Sequence, residues 1–406
     1  MKKLIKNIFN RFGVEIRNIP LDNNREVDKV VSLESKNGFQ GNMFLSYLNK
    51  PFLSTGGDSF PNGHTAYWEC WQIANTFLNL GYNVDVIDRL NHNFTPLKKY
   101  DIFVGHRHRF ERFSEFLGED CLKIAHLDVA HWLFNNCATS KRALDMQQRR
   151  GVTVSQSSQR IIEHNMAIEY AEYATVLGNE FTINTYKYAK KPIYRVPIST
   201  CDMYPWPEKK DFDICRKNYL WFGSEGMVHK GLDLVLDAFK DMPEYNLTIC
   251  GPVEKEIFFV KAYYKELYQS KNINTIGWID TSSVQFVNIL NNCIGLIYPS
   301  CAEGGGGSVI TCMHGGLIPI VSYESSVDVE DEYGIILKDS SVEEIKTSIK
   351  YISNLPAGQL KGMAQKSWEF ARKYHTRDRF SIEYRKTIET ILNIHRNKNN
   401  NVHVAN

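Results

Sequence analysis

The nine cysteines include no CxxC pair and no metal-ligand spacing. Neither a zinc module nor a redox dithiol is expected. Cys250, Cys293 and Cys312 lie in apolar runs, where buried free thiols are common, and this usage fits a reducing compartment. No stretch approaches the roughly 20 apolar residues of a membrane-spanning helix, and the amino terminus lacks the apolar core of a signal peptide. The formal net charge is only +2, with no broad basic face for nucleic acid. Paired carboxylates in nucleophile and acid roles are missing too. What remains is ordinary: 406 residues, 43% hydrophobic and 23% charged, enough for two domains with full cores.

The small net charge is unevenly spread. Lys2, Lys3, Lys6, Arg11 and Arg17 face a single acidic residue, Glu15, in the first twenty positions. Over residues 2–12, Leu4, Ile5, Ile8, Phe9 and Phe12 recur at helical spacing opposite the lysines. The pattern fits a helix resting on anionic lipid, and somewhat better a terminal helix docked on its own domain. Residues 18–40 are polar and read as a linker, which makes 1–40 an amino-terminal extension.

Beyond it the chain alternates between short apolar runs and amphipathic stretches. Strands are expected near 43–48, 83–88, 100–105, 122–127, 173–177 and 193–198, with helices near 66–80, 138–150 and 159–170. Pro197, Pro205 and Pro207, with the charged residues 208–213, mark a boundary. The alternation then restarts, with strands near 218–223, 246–250, 273–277, 293–298, 317–322 and 334–337. Residues 342–392 read as helical, and the asparagine-rich 395–406 as a disordered tail. This is an α/β chain of two similar halves, 41–204 and 205–375, each a parallel sheet covered by helices.

Two loops stand out in the second half. The first follows the strand ending at Tyr298: Pro299-Ser300-Cys301-Ala302-Glu303-Gly304-Gly305-Gly306-Gly307-Ser308-Val309. Four successive glycines cost backbone entropy, and are expected where a ligand meets bare main-chain N–H groups. Ser308 is expected to cap the next helix, whose amino end suits a phosphate. Glu303 is suited to sugar hydroxyls. The second loop, Gly223-Ser224-Glu225-Gly226-Met227-Val228-His229-Lys230-Gly231, ends in a lysine beside a helix amino terminus. A cation there opposes the helix dipole, and a phosphate ligand supplies the missing reason.

Both loops resemble the two carboxy-domain motifs of retaining GT-B-type bacterial glycosyltransferases. In those enzymes a Gly-Arg…Lys-Gly loop grips the donor diphosphate, and a Glu-(seven residues)-Glu motif follows a strand ending in Pro-Ser. This chain keeps Lys230-Gly231, Pro299-Ser300 and Glu303, while Ser224 and Thr311 replace the expected arginine and second glutamate. The resemblance implies two Rossmann-like domains facing a cleft, and a helix over 376–394 crossing back to the first domain.

It also implies a retaining, metal-independent sugar transfer from a nucleotide diphosphate sugar to a glycan or lipid-linked acceptor. No cofactor is expected beyond that co-substrate, nor any nucleic-acid partner. Glu303, Lys230 and His131 would be catalytic. Donor contacts would come from Gly223, Ser224, Lys230, Gly251, Ser300, Glu303, Gly304, Gly305, Gly306, Gly307, Ser308, Val309 and Thr311. Trp278 would stack on the base, or equally serve as core, with Ile279 reading the base edge. Asp128, His131, His64 and Arg107 would face the acceptor; the His106–Arg109 run reads equally as a solvated loop. The expected setting is cytoplasmic surface-glycan assembly, at the inner face of a membrane if residues 2–12 bind it. A GT-B-type sugar-nucleotide epimerase and a non-catalytic partner subunit are the rival readings.

Overall fold

The computed structural model describes residues 26–53, 60 and 63–404. The helix expected over 2–12 and most of the 56–64 loop lie outside the described residues. The first half is a seven-stranded sheet: β1 Val31–Leu33, β2 Gly41–Tyr47, β3 Tyr82–Asp88, β4 Ile102–Gly105, β5 Leu122–Leu127, β6 Tyr173–Val176 and β7 Ile193–Arg195. Its order is β1-β3-β2-β4-β5-β6-β7, and every pair is parallel except β1–β3.

The second half is a six-stranded parallel sheet: β8 Asn218–Phe222, β9 Asn246–Cys250, β10 Ile273–Gly277, β11 Gly295–Tyr298, β12 Ile318–Ser322 and β13 Ile335–Leu337. Its order is β10-β9-β8-β11-β12-β13. The central strands are buried along their whole length, as in Ile102-Phe103-Val104-Gly105 and Gly295-Leu296-Ile297-Tyr298. Such continuous apolar runs belong to sheets covered on both faces. Pro319 fits inside β12 because β13 joins the ladder only at Ile320, paired with Ile335.

Six helices matter below: α1 Ala66–Asn79, α2 Trp132–Arg150, α3 Leu232–Lys240, α4 Gly307–His314, α5 Ala357–Tyr374 and α6 Arg377–Val404. As expected, the last crosses back to the first half. There the Phe380 ring meets Trp68 edge-on at 5.7 Å, and the Arg377 guanidinium lies 5.4 Å from the Trp68 centroid. One continuous core links Leu177 and Ile198 of the first half to Tyr298 and Val309 of the second. Among the described residues no helix is long and apolar enough to cross a membrane.

Three expectations need correction. Residues 26–40 are not a linker, because β1 pairs antiparallel with the edge of the first sheet, and Asn49 donates to the carbonyls of Glu26 and Lys29. A three-residue polar edge strand leaves too short a pattern to read. Residues 395–404 are not a disordered tail, since α6 runs to Val404; extending a packed helix costs far less than nucleating one. The helix expected over 159–170 is two short turns, Gln156–Gln159 and Ala167–Tyr170. Arg160, at φ +46°, breaks it.

Candidate active site between the two sheet edges

The loops that follow β2, β4, β5, β8 and β11 all leave the carboxyl edges of their sheets, where ligands bind in open α/β folds. At their centre stands Glu303. One of its oxygens, Oε1, accepts from Lys230 Nζ, Tyr298 Oη and Ser300 Oγ, each at 2.9 Å. The other, Oε2, faces Arg160 Nη1 at 3.4 Å. Burial alone would raise this carboxyl. The charges of Lys230 and Arg160, with the Lys230 hydrogen bond, instead hold it well below the usual carboxylate range.

Lys230 is only 2% exposed. Burial, helped by the Arg160 charge and opposed by Glu303, brings its ammonium down to about 8. Its position follows from the chain on either side. Gly231 sits at φ +72° as the cap of α3, and a Cβ there would come within 2.5 Å of the Pro299 carbonyl oxygen. Only glycine lets the two loops close so far. His229 beside it is neutral: burial takes its imidazole down to about 3, and Nε2 donates to the Ala302 carbonyl at 2.6 Å.

The glycine run lies between the halves, but not as loose backbone. A Cβ on Gly304 would fall 2.3 Å from the main chain of Asp128 and Val129 in the first half. One on Gly306 would meet Val327 at 2.3 Å and the Ser325 carbonyl at 2.7 Å. These glycines therefore do have a packing role, contrary to the expectation that they serve ligand approach alone. Thr182 of the first half donates to the Glu303 carbonyl at 3.0 Å. Gly306 caps α4 in a left-handed conformation, so Ser308 is not the cap but lies in the first turn. Among the described residues no backbone carbonyl accepts from the amides of Gly307 or Ser308, and both residues are half-exposed.

On the first-half side, Asp128 Oδ1 accepts from Arg107 Nη1 at 2.6 Å and lies 2.8 Å from His106 Nε2. Burial would raise Asp128, but His106 and Arg107 hold it well below its usual range. Burial and the Arg107 charge keep His106 itself neutral, so Arg107 is the cation of this group. His64 is exposed, and its Nδ1 accepts from the Ala66 amide at 3.1 Å. Dense surrounding protein lowers its affinity for a proton, and Asp128, Arg160 and Lys230 all act on it electrostatically. His64, Asp128, Lys230 and Glu303 thus belong to one region.

His131 does not join them. It caps α2, with Nδ1 accepting from the Leu133 amide at 3.4 Å. Its Nε2 lies 3.0 Å from Tyr188 Oη, which itself donates to Glu169. Both ring nitrogens are used, and Glu169 is the charged group acting on the ring. Thr311 is likewise occupied: its hydroxyl returns to the Gly307 carbonyl at 2.9 Å. A Cβ on Gly251 would meet the Gly223 carbonyl oxygen at 2.5 Å, so this glycine admits its neighbouring loop. Ser224 is exposed and Ile279 buried. Trp278 is 63% exposed beyond β10, which removes the reading of it as a core residue. Val309 is buried in α4.

Four contributors carry no distinct mark in the sequence. Tyr298 and His229 stand inside the two motifs, without a signal of their roles. Glu256 accepts from the amides of Gly226 and Met227, at 2.6 Å and 3.2 Å, and fixes the second loop. Arg160 comes from a run that reads as helix.

A cavity of about 310 Å³ opens at this site, lined among others by Arg107, His108, Asn135, Arg160, Ile162 and Glu303. A larger one, about 410 Å³, lies behind the linker between Trp206, Lys210 and Leu290. It sits at the amino edge of the second sheet. There Lys210 spends its ammonium on the carbonyls of Leu290 and Gly316. The smaller cavity is the one with convergent polar groups, which mark a binding site.

Residues 212–371 match the family model described as Glycosyl transferases group 1. The match covers most of the second half and none of the first. No curated protein matches the chain in sequence. Among solved structures, sucrose-phosphate synthase from Thermosynechococcus elongatus aligns at a TM-score of 0.62 and 11% identity, over 87% of this chain and 99% of that one. HepE from Anabaena, solved with UDP and glucose, aligns at 0.54 and 11% identity, over 86% and 99%. S. aureus TarM, solved as a point mutant with fondaparinux, α-GlcNAc-glycerol and UDP, aligns at 0.50 and 15%, over 70% of this chain and 54% of its own. The chain thus spans about half the length of TarM. At these identities the likeness is one of fold, and that fold is GT-B: two Rossmann-like domains, as expected.

Proposed function

We propose that this chain is a group 1 glycosyltransferase, which transfers a sugar from a nucleotide diphosphate sugar to an acceptor hydroxyl with anomeric configuration retained. The observation that carries the reading is the buried Lys230–Glu303 pair beside the amino end of α4. The leaving group is a diphosphate, so the main task is to stabilise negative charge as the glycosidic C–O bond breaks. Lys230 Nζ has two further protons, and the Gly307 and Ser308 amides present two more donors. Protein cations and main-chain dipoles do this work without a metal. Glu303, kept ionised, orients the sugar through its hydroxyls. His64, with Nδ1 taken by the Ala66 amide, keeps Nε2–H as a donor. The departing phosphate takes the acceptor proton on the same face, which retains the configuration.

TarM and HepE were each solved with UDP, so UDP-sugars are the first donors to try. A glycan or lipid-linked acceptor for a surface polysaccharide, reached at the cytoplasmic face of a membrane through residues 2–12, completes the reading. Incubation with UDP-, GDP- and TDP-sugars without acceptor tests it. Slow hydrolysis of one donor, following the nucleotide released, is the expected result. An isomerised sugar would make the protein an epimerase, and binding without turnover a partner subunit; either outcome overturns transfer.

A further inference from the structure

Lys230 and Glu303 alone would form a neutral pair. Arg160 changes that balance, because it adds a second positive charge on the free side of the same carboxylate, 3.4 Å from Oε2. With His229 neutral, the centre holds two cations against one carboxylate. That surplus leaves a positive potential at the mouth of the cleft, which attracts an anion.

The way the chain holds Arg160 points to the same purpose. Its φ of +46° is unusual for a residue with a long side chain, and such conformations persist where the surroundings enforce them. Asn135 Nδ2 donates to its carbonyl at 3.0 Å. Two residues earlier, the Ser158 carbonyl accepts from the His229 amide across the cleft at 3.2 Å. The side chain crosses over Gly226, where a Cβ would fall 2.5 Å from Arg160 Cγ and Cδ. Further back, Arg142 donates to the Pro299 carbonyl at 2.9 Å, and Arg149 and Arg150 pair with Asp233, Asp237 and Glu266. The segment from α2 to Arg160 is therefore fastened to the second half. Its guanidinium, 36% exposed, borders the 310 Å³ cavity.

We propose that Arg160 is a diphosphate-binding residue, a second cation brought to Lys230 from the first half of the chain. The proposal rests on the transfer reading above and adds that a nucleoside diphosphate is held by both halves at once. A guanidinium donates two parallel hydrogen bonds to phosphate oxygens, whereas the Lys230 ammonium acts as a point charge. The β-phosphate, which gains charge as the sugar leaves, is the group placed between them.

Titration of UDP, GDP and TDP into the full-length protein and into Arg160→Gly tests this. Glycine favours the left-handed conformation at residue 160, so this variant keeps or raises the melting temperature, and a binding loss is not a folding loss. We expect affinity for the bound nucleoside diphosphate to fall at least tenfold in Arg160→Gly, and by less in Arg160→Lys. Affinity for the matching nucleoside monophosphate changes little. The salt dependence of diphosphate binding becomes shallower in Arg160→Gly. Wild-type binding that Arg160→Gly leaves unchanged overturns the role of Arg160 alone. Equal loss for monophosphate and diphosphate overturns it too. A wild-type protein that binds none of the three overturns this role together with the transfer reading.

Discussion

Lys230→Ala is expected to lower turnover by two to three orders of magnitude while the protein stays folded. Removing one preorganised donor from a developing oxyanion costs about 3 kcal/mol in the barrier, and each 1.4 kcal/mol is about tenfold in rate. Stability suffers less, because Glu303 keeps Tyr298, Ser300 and Arg160 as partners. The effect should fall mainly on kcat, since the leaving phosphate carries more charge in the transition state than in the bound donor. Steady-state kinetics beside a thermal melt check both halves of the statement. An unchanged kcat would remove Lys230 from the mechanism.

The partner substitution behaves differently. Glu303→Ala leaves a buried ammonium whose remaining neighbours include another cation, and breaking a buried pair in this way costs about 3–5 kcal/mol. Glu303→Gln keeps an acceptor for Tyr298 and Ser300 but loses the charge, so turnover falls while more of the fold survives. The pH dependence has a definite sign. Lys230 already stands at about 8 in the folded protein, below the free lysine value of 10.5. Without Glu303 it falls further, so the folded variant sheds a proton that the unfolded chain retains. Stability of Glu303→Ala therefore rises with pH more steeply than that of the wild type, and the gap narrows from pH 6 towards 8. Chemical unfolding at the two pH values measures it; a constant gap would mean that Lys230 does not depend on this carboxylate.

Much of this is legible in the sequence because parallel strands write themselves as continuous apolar runs, and the loops between them carry rare residues. The Lys230-Gly231 step and Glu303 ahead of the glycines are visible in this way. What is not legible depends on contacts between halves distant in sequence. In sequence Gly304 fits ligand-facing backbone, whereas the Asp128 main chain lies 2.3 Å from where its Cβ would be. His131 follows a strand end, as a catalytic histidine would, yet the same position is where a helix cap belongs. Thr311 stands where a ribose contact is expected, but a threonine inside a helix can return its hydroxyl to the preceding turn, as this one does. Arg160 carries no signal, since Gln159-Arg160-Ile161-Ile162-Glu163 has an ordinary helical composition. Its left-handed backbone is imposed by neighbours from both halves.

A crystal structure of the protein soaked with UDP bears most directly on the whole account. The diphosphate should lie within about 3 Å of Lys230 Nζ and of the Gly307 and Ser308 amides. Nucleotide found instead beside Lys210 at the opposite sheet edge, or anywhere that leaves the Lys230–Glu303 pair out of contact, would contradict it.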